Sequence, residues 1–208
     1  TVDAVREVVL PQFCVAVKLN SADFQRGGFE IGDAIAVVQM LNERGVDLIE
    51  LSGGSYESPA MQGQSRDGLT LAREAYFLEF AERVQRVARM PLMVTGGVRR
   101  LQVAQQVLAT GVAMVGMATA LALQPDLPQR WRAGERLSVE PVRVSWKNRT
   151  LAAVATQAIV KKQLQRLSQG KPANIGVSPL LALIGGQLKL KRQSKRYRRW
   201  ITAVDRTS

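Results

Sequence analysis

The stretch Val46-Asp-Leu-Ile-Glu-Leu-Ser52, which stops at Gly53-Gly54, decides the fold of this chain. It is short, apolar and rich in strand-forming residues, as a strand buried in a sheet is. Similar runs occupy Cys14–Asn20, Pro91–Thr95 and Ala113–Gly116. Helical patterns separate these runs and cover Val2–Val9, Asp33–Arg44, Ala72–Ala88 and Leu101–Ala109. Because apolar strands alternate with crossover helices, the sequence predicts an α/β protein with a parallel sheet covered on both faces.

Four β-α units fit both an open doubly wound sheet and a (β/α)8 barrel, and two observations favour the barrel. Polar and glycine residues follow the strand ends, where barrel enzymes place their chemistry; they are Lys18, Asn20, Ser52, Gly53, Gly96 and Gly97. The Gly96-Gly97 turn precedes a helix, and another small-residue turn follows one strand later, as in the phosphate site of many barrels. A simple tight turn explains the glycine pair equally well.

A complete (β/α)8 barrel needs roughly 250 residues, whereas the β-α units here end near residue 130 of 208. Half a barrel alone would leave two open parallel sheet edges and an uncovered core. We therefore expect the chain to be a fragment of a longer protein, with a half-barrel over residues 1–130 and a second region over 131–208.

Charge divides the chain in the same place. The net charge is +12, but residues 1–129 hold 11 Lys and Arg against 14 Asp and Glu, and residues 130–208 hold 18 against 3. Binding of an anionic partner, such as nucleic acid or an anionic membrane, is therefore indicated only for the last third of the chain.

Several site classes are excluded by composition. The chain has no histidine, so its own residues cannot form a Ser-His-Asp triad or a His-metal site, and no metal site is expected. Its one cysteine, Cys14, excludes an internal disulfide. The longest apolar stretch, Gly111–Leu123, is shorter than the ~20 residues that span a bilayer. We expect a cytoplasmic protein.

A resemblance to a known family rests on five motifs in fixed order: Lys18–Gly28, Val46–Met61, Arg73–Phe77, Pro91–Gly97 and Gln124–Leu127. They resemble the old yellow enzyme family, in the branch of the bacterial NADH:flavin oxidoreductase/NADH oxidase proteins. The string Ser52-Gly-Gly-Ser-Tyr-Glu-Ser-Pro-Ala-Met61 is the most specific of them. The resemblance covers residues 1–130 strongly, and residues 163–200 more loosely resemble the helical C-terminal extension of that branch.

The resemblance implies a flavoprotein with FMN as its cofactor, in which this chain is the C-terminal half of the (β/α)8 (TIM) barrel followed by a basic helical extension. It implies NADH or NADPH as electron donor and an activated alkene or similar small molecule as acceptor. The partner of the half-barrel would be the missing N-terminal half or a second copy. The residues that hold the acceptor and donate a proton would lie before Thr1, so Tyr56 and Tyr76 are not assigned that role.

The resemblance also implies cofactor-binding residues. Lys18 would be the catalytic residue beside the flavin pyrimidine edge, where a cation stabilises the negative charge left by hydride transfer. Gly96 and Gly97 would give backbone N–H groups to the FMN phosphate, with Val98 packing beside them. Asp47 and Glu50 are predicted to be structural residues.

Ala118 and Thr119 take two further cofactor-binding positions, where the family usually has a small residue followed by Arg. Thr119 offers one hydrogen bond but no charge. Losing a charged hydrogen bond costs about 1.5–3 kcal/mol, or roughly ten- to a hundredfold in affinity. We expect Thr119→Arg to tighten FMN binding in the full-length protein, and an unchanged dissociation constant would contradict this alignment.

The last third predicts two helical regions. One covers Thr150–Leu167, in which helical spacing places Ala153, Ile159, Val160 and Leu164 on one apolar face. Ser178–Ile184 is apolar and is predicted to end at Gly185-Gly186, and residues 189–199 then carry seven Lys and Arg. The favoured interpretation is a solvated helix packed against the barrel or another subunit through Leu188, Leu190, Tyr197, Trp200 and Ile201. Association of 189–201 with an anionic membrane surface ranks second, and nucleic acid is the least favoured partner.

Three functions remain open from the sequence. The leading one is an FMN-dependent oxidoreductase represented by a fragment. The second is a non-catalytic half-barrel or interaction module that acts through its basic tail. Another phosphate-binding barrel, such as a synthase, is disfavoured by the specific motif at 52–61.

Overall fold

The computed structural model describes residues 1–20, 27–52 and 79–204. They fall into two compact units, one of Thr1–Ala118 with Pro128–Val139 and one of Thr119–Leu127 with Glu140–Ser208. The strands are β1 (Ala16–Asn20), β2 (Leu48–Ser52), β3 (Leu92–Thr95) and β4 (Met114–Gly116). The helices are α1 (Val2–Val8), α2 (Ile31–Leu41), α3 (helical residues 79–85), α4 (Leu101–Ala109), α5 (Thr119–Leu123), α6 (Leu127–Arg132), α7 (Arg149–Leu167) and α8 (Pro179–Val204).

The first unit is built on a four-stranded parallel sheet in the order β1-β2-β3-β4. Consecutive parallel strands are joined through helices, as β-α units require. The predicted α/β fold of alternating strands and helices is therefore confirmed. Of the predicted helix Ala72–Ala88, residues 72–78 lie outside the described part of the chain.

One face of the sheet forms the hydrophobic core. Alternate strand residues point to it, and helices α2, α3 and α4 contribute the facing side chains. The largest fully buried members are Phe80, Ile49, Leu51 and Leu92. Residues on the opposite face, such as Lys18, Met93 and Met114, are half-buried or exposed. The described residues therefore leave this second face only partly covered, which agrees with the uncovered core expected of a half-barrel.

The start of the sheet is fixed by Asp47. Its carboxylate accepts a hydrogen bond from the Val15 backbone N–H at 2.7 Å and pairs with Arg6. The same Arg6 donates through Nε to the carbonyl of Gly45 at 2.7 Å. The backbone hydrogen bond from Val15, followed by that from Arg6, holds the pKa of Asp47 below its usual value. Asp47 is thus a structural residue, as predicted.

In the second unit, α7 packs against both α5 and α8. The Asn148 side chain caps α7 by accepting from the Leu151 N–H at 3.0 Å. The buried residues of α7 are Ala152, Ala155, Ile159 and Gln163. The predicted apolar face of this helix is therefore partly wrong, since Leu164 is exposed. The alanines at 152 and 155 take the buried positions instead, because small side chains allow closer helix packing.

Helix α8 continues through Gly185-Gly186, where the sequence predicted a break. That prediction is wrong because a glycine costs only about 1 kcal/mol in a helix interior. The leucine, lysine and arginine residues that follow are strong helix formers. Leu188, Leu190, Tyr197, Trp200 and Ile201 are exposed rather than packed against the protein that the structure describes.

Candidate functional site

The carboxyl ends of the four strands meet at one edge of the sheet. Register pairs Asn20 with Ser52 at the ends of β1 and β2, and Thr95 with Gly116 at the ends of β3 and β4. In a (β/α)8 barrel this edge is where ligands bind. The predicted strands end at the same four residues, so the sequence located this edge correctly.

Lys18 and Glu50 form an ion pair on the exposed side of this edge. They are register partners on adjacent strands, each two residues before its strand ends. The Lys18 ammonium donates to Oε1 of Glu50. The side chain of Lys18 is 57% exposed and that of Glu50 is 22% exposed, so the cation is accessible while its partner is largely covered.

Glu50 is charged in this setting. Partial burial raises the pKa of its carboxyl group, whereas the hydrogen bond from Lys18 and the Lys18 charge lower it. The lowering effects prevail, and the pKa of Glu50 lies below its usual value. A permanent carboxylate therefore holds the Lys18 ammonium at the sheet edge at neutral pH.

Beyond β3, Gly96 and Gly97 form the turn that leads to α4. Their φ angles are 145° and 62°, values that side-chain-bearing residues rarely adopt. Among the described residues, a Cβ on Gly97 would meet no atom within 4 Å, so they leave the space beside this turn open. Val98 is buried and Arg100 precedes α4 in extended conformation without a side-chain cap. A glycine turn before an uncapped helix start is a suitable place for an anion.

Close packing at the end of β4 depends on Gly116. A Cβ at this position would lie 2.0 Å from Oγ1 of Thr95 on the adjacent strand. Thr95 Oγ1 is buried and has no hydrogen-bond partner within the part of the chain that the structure describes. The absence of a side chain at 116 therefore leaves room for this hydroxyl group at the end of β3.

The other predicted site residues are exposed or outside the described ranges. Ala118 is the last residue of the first segment of the first unit, and Thr119 begins α5 in the second unit; both are exposed. The motif residues 53–61, with Tyr56, and Tyr76 lie outside the described residues. Cys14 is exposed and free. In the described ranges, no cluster of three Asp, Glu or Cys residues is placed to hold a metal ion.

Glu50 is the site residue that sequence reasoning missed, because it was interpreted as structural. One signal could have indicated it. Lys18 and Glu50 both precede the last strand residue by two positions, so alignment of the two strand ends predicts that they are neighbours.

The class that these features define is an α/β protein with part of a (β/α)8 barrel, carrying a cation and a glycine turn at the edge of the sheet where its strands end. A solved complex of 2-naphthoyl-CoA reductase with 2-naphthoyl-CoA shares this fold, with a TM-score of 0.53 and 21% identity over 64% of this chain and 20% of that one. At that identity the likeness shows the fold alone.

Similarity to curated proteins is more specific. The chain is 39% identical over 135 residues to the NADH-dependent flavin oxidoreductase of Neonectria sp. (strain DH2), covering 61% of this chain and 18% of that protein. It is 25% identical over 134 residues to the NADH oxidase of Thermoanaerobacter brockii, covering 64% of this chain and 20% of the relative. It thus spans about a fifth of the length of each. No family model matches the chain.

These relatives confirm the resemblance to the old yellow enzyme family, in its NADH:flavin oxidoreductase/NADH oxidase branch. The similarity involves about three fifths of the chain.

Proposed function

We propose that residues 1–130 form the FMN-binding part of an NADH-dependent flavin oxidoreductase, followed by an extension over 131–208. The observation that carries this proposal is the accessible Lys18 ammonium, held by Glu50 at the same sheet edge that ends in the Gly96-Gly97 turn. The names of the relatives support a flavin and NADH. NADPH and the acceptor class, an activated alkene or similar molecule, stay predictions.

The residues present fit a phosphate-bearing flavin. The open space beside Gly97 and the uncapped start of α4 suit the FMN phosphate. Ala118 and Thr119 stay predicted cofactor-binding residues. When bound, the flavin would accept hydride from the nicotinamide and pass it to the acceptor.

Lys18 and Glu50 would act together to place a positive charge beside the flavin. The Lys18 cation would stabilise negative charge at the flavin edge, because a fixed positive group needs no rearrangement during the reaction. Glu50 would be a positioning residue, since its ionised carboxylate fixes the ammonium on the exposed face of the sheet.

Titration of the 208-residue chain with FMN and with riboflavin, followed by flavin fluorescence, tests this function. Riboflavin lacks the phosphate, so we expect FMN to bind at least about tenfold more tightly. Equal affinities would contradict the phosphate site. The absence of saturable FMN binding by a chain with native circular dichroism would contradict the proposal as a whole.

A matched pair of variants locates the phosphate. Asp and Asn both tolerate a left-handed backbone and have nearly the same size, and a Cβ on Gly97 has no neighbour within 4 Å among the described residues. We expect Gly97→Asp to bind FMN about tenfold more weakly than Gly97→Asn, because only Asp repels the phosphate. Their riboflavin affinities should agree, and equal FMN affinities would place the phosphate elsewhere.

A further inference from the structure

The C-terminal helix α8 has an unusual charge composition. Between positions 141 and 204 the sequence contains fourteen Lys and Arg and no Asp or Glu. Seven of these cations lie on α8 between residues 189 and 199. No acidic side chain within this segment offsets their charge, so the segment is complementary to an extended anionic surface.

The basic part of α8 is open to solvent. Every residue from 185 to 202 is exposed, including large apolar side chains such as Leu190 and Trp200. The rings of Tyr197 and Trp200 lie with their centroids 5.8 Å apart. A continuous exposed run that contains aromatic and aliphatic side chains indicates an interaction surface rather than an ordinary solvated helix.

Charge and apolar surface are separated around the helix. At about 100° per residue, Leu190, Tyr197, Trp200 and Ile201 fall within one arc of about 100°, which we call the apolar stripe. The cations fill an arc of about 180° on the other side; they are Lys189, Lys191, Arg192, Lys195, Arg196, Arg198 and Arg199. This is the pattern of a helix that lies in a membrane interface.

We propose that α8 binds anionic phospholipid membranes, lying in the plane of the interface with the apolar stripe inserted and its cations on the lipid phosphates. Nucleic acid would neutralise the cations but leave Trp200 and its apolar neighbours in water, whereas an anionic bilayer accommodates both sides of the helix. The described helices include none that is long and apolar enough to cross a bilayer. This inference is independent of the flavin site.

Co-sedimentation of the full chain with vesicles tests the proposal. We expect binding to vesicles of phosphatidylcholine with phosphatidylserine, and little binding to phosphatidylcholine alone, with release as salt is raised. Brominated lipids should quench Trp200 fluorescence. The Trp200→Phe variant retains Trp131 and Trp146, so any quenching that remains in it comes from those two residues. Equal binding to both vesicle types, or binding to duplex DNA without binding to vesicles, would overturn it.

Two leucines provide a matched pair on the same helix. Leu190 lies in the apolar stripe, and Leu188 lies within the basic arc; they are 56% and 55% exposed. We expect Leu190→Ser to weaken the vesicle partition coefficient about tenfold and Leu188→Ser to change it little. Equal effects, at unchanged helicity by circular dichroism, would contradict an inserted stripe.

Discussion

The sheet of the first unit and the helix α8 of the second have opposite relations to water. The sheet buries Ile49, Leu51 and Leu92 against its helices. Among the α8 side chains whose burial the structure describes, Ala182 in the first turns is the buried one, and every residue from 185 to 202 is exposed. Burial of apolar surface is the main source of folding free energy. The apolar residues of the sheet therefore stabilise the fold. Those at the end of α8 are available for binding.

The largest expected effect tests this difference directly. Ile49 is fully buried in the sheet core, whereas Leu188 is an exposed aliphatic residue on α8. Ile49→Ala should lower the free energy of unfolding by about 2–5 kcal/mol, and Leu188→Ala should change it by about 0.5 kcal/mol or less. Urea denaturation measures both. Similar losses would show that α8 is packed in solution.

A smaller effect is expected at the end of β4. Gly116→Ala would place a methyl group 2.0 Å from the present position of Thr95 Oγ1. We expect a loss of about 1–3 kcal/mol in unfolding free energy, as for other overpacked sites. Adding Thr95→Ala should recover part of the loss in the double mutant, measured by the same denaturation curves. An unaffected single mutant would contradict the close strand packing.

The smallest effect concerns the Lys18–Glu50 pair on the exposed face of the sheet. Because the pKa of Glu50 is lowered in the folded protein, its charge stabilises the fold above its ordinary pKa of about 4.5. This contribution is lost as pH falls through the lower folded pKa. Glu50→Gln should therefore cost about 1 kcal/mol or less at pH 7.

The same measurement repeated in acid provides the control for that variant. The difference in stability between Glu50→Gln and the parent chain should shrink as pH falls below about 4. A difference that stays constant from neutral pH to acid would assign the loss to side-chain packing rather than to charge.

The sequence predicted the sheet well for a physical reason. Each strand ends where an apolar run meets a polar or small residue, and the predicted ends at Asn20, Ser52, Thr95 and Gly116 agree with the structure. The helix Leu101–Ala109 also has its predicted bounds. These signals are local, so a single sequence contains them.

The pairing of Lys18 with Glu50 depends instead on strand register, which relates residues 32 positions apart. The path of α8 through Gly185-Gly186 depends on a balance of small propensities. The helix propensity of the neighbouring residues exceeds the cost of two glycines. A rule that ends every helix at a glycine ignores this balance. Burial of Gln163 on α7 likewise follows from a tertiary contact, since its side chain accepts from the Asn174 N–H at 2.7 Å.

The glycine pair within α8 has a consequence for how the helix opens. Gly185 and Gly186 follow the turn of α8 that contains the buried Ala182, and they precede the exposed basic part of the helix. Two glycines cost about 2 kcal/mol relative to alanines, so they separate α8 into two segments with different local stability. Amide protons after the glycines should exchange with deuterium sooner than those before them, and contact with a binding surface would slow that exchange.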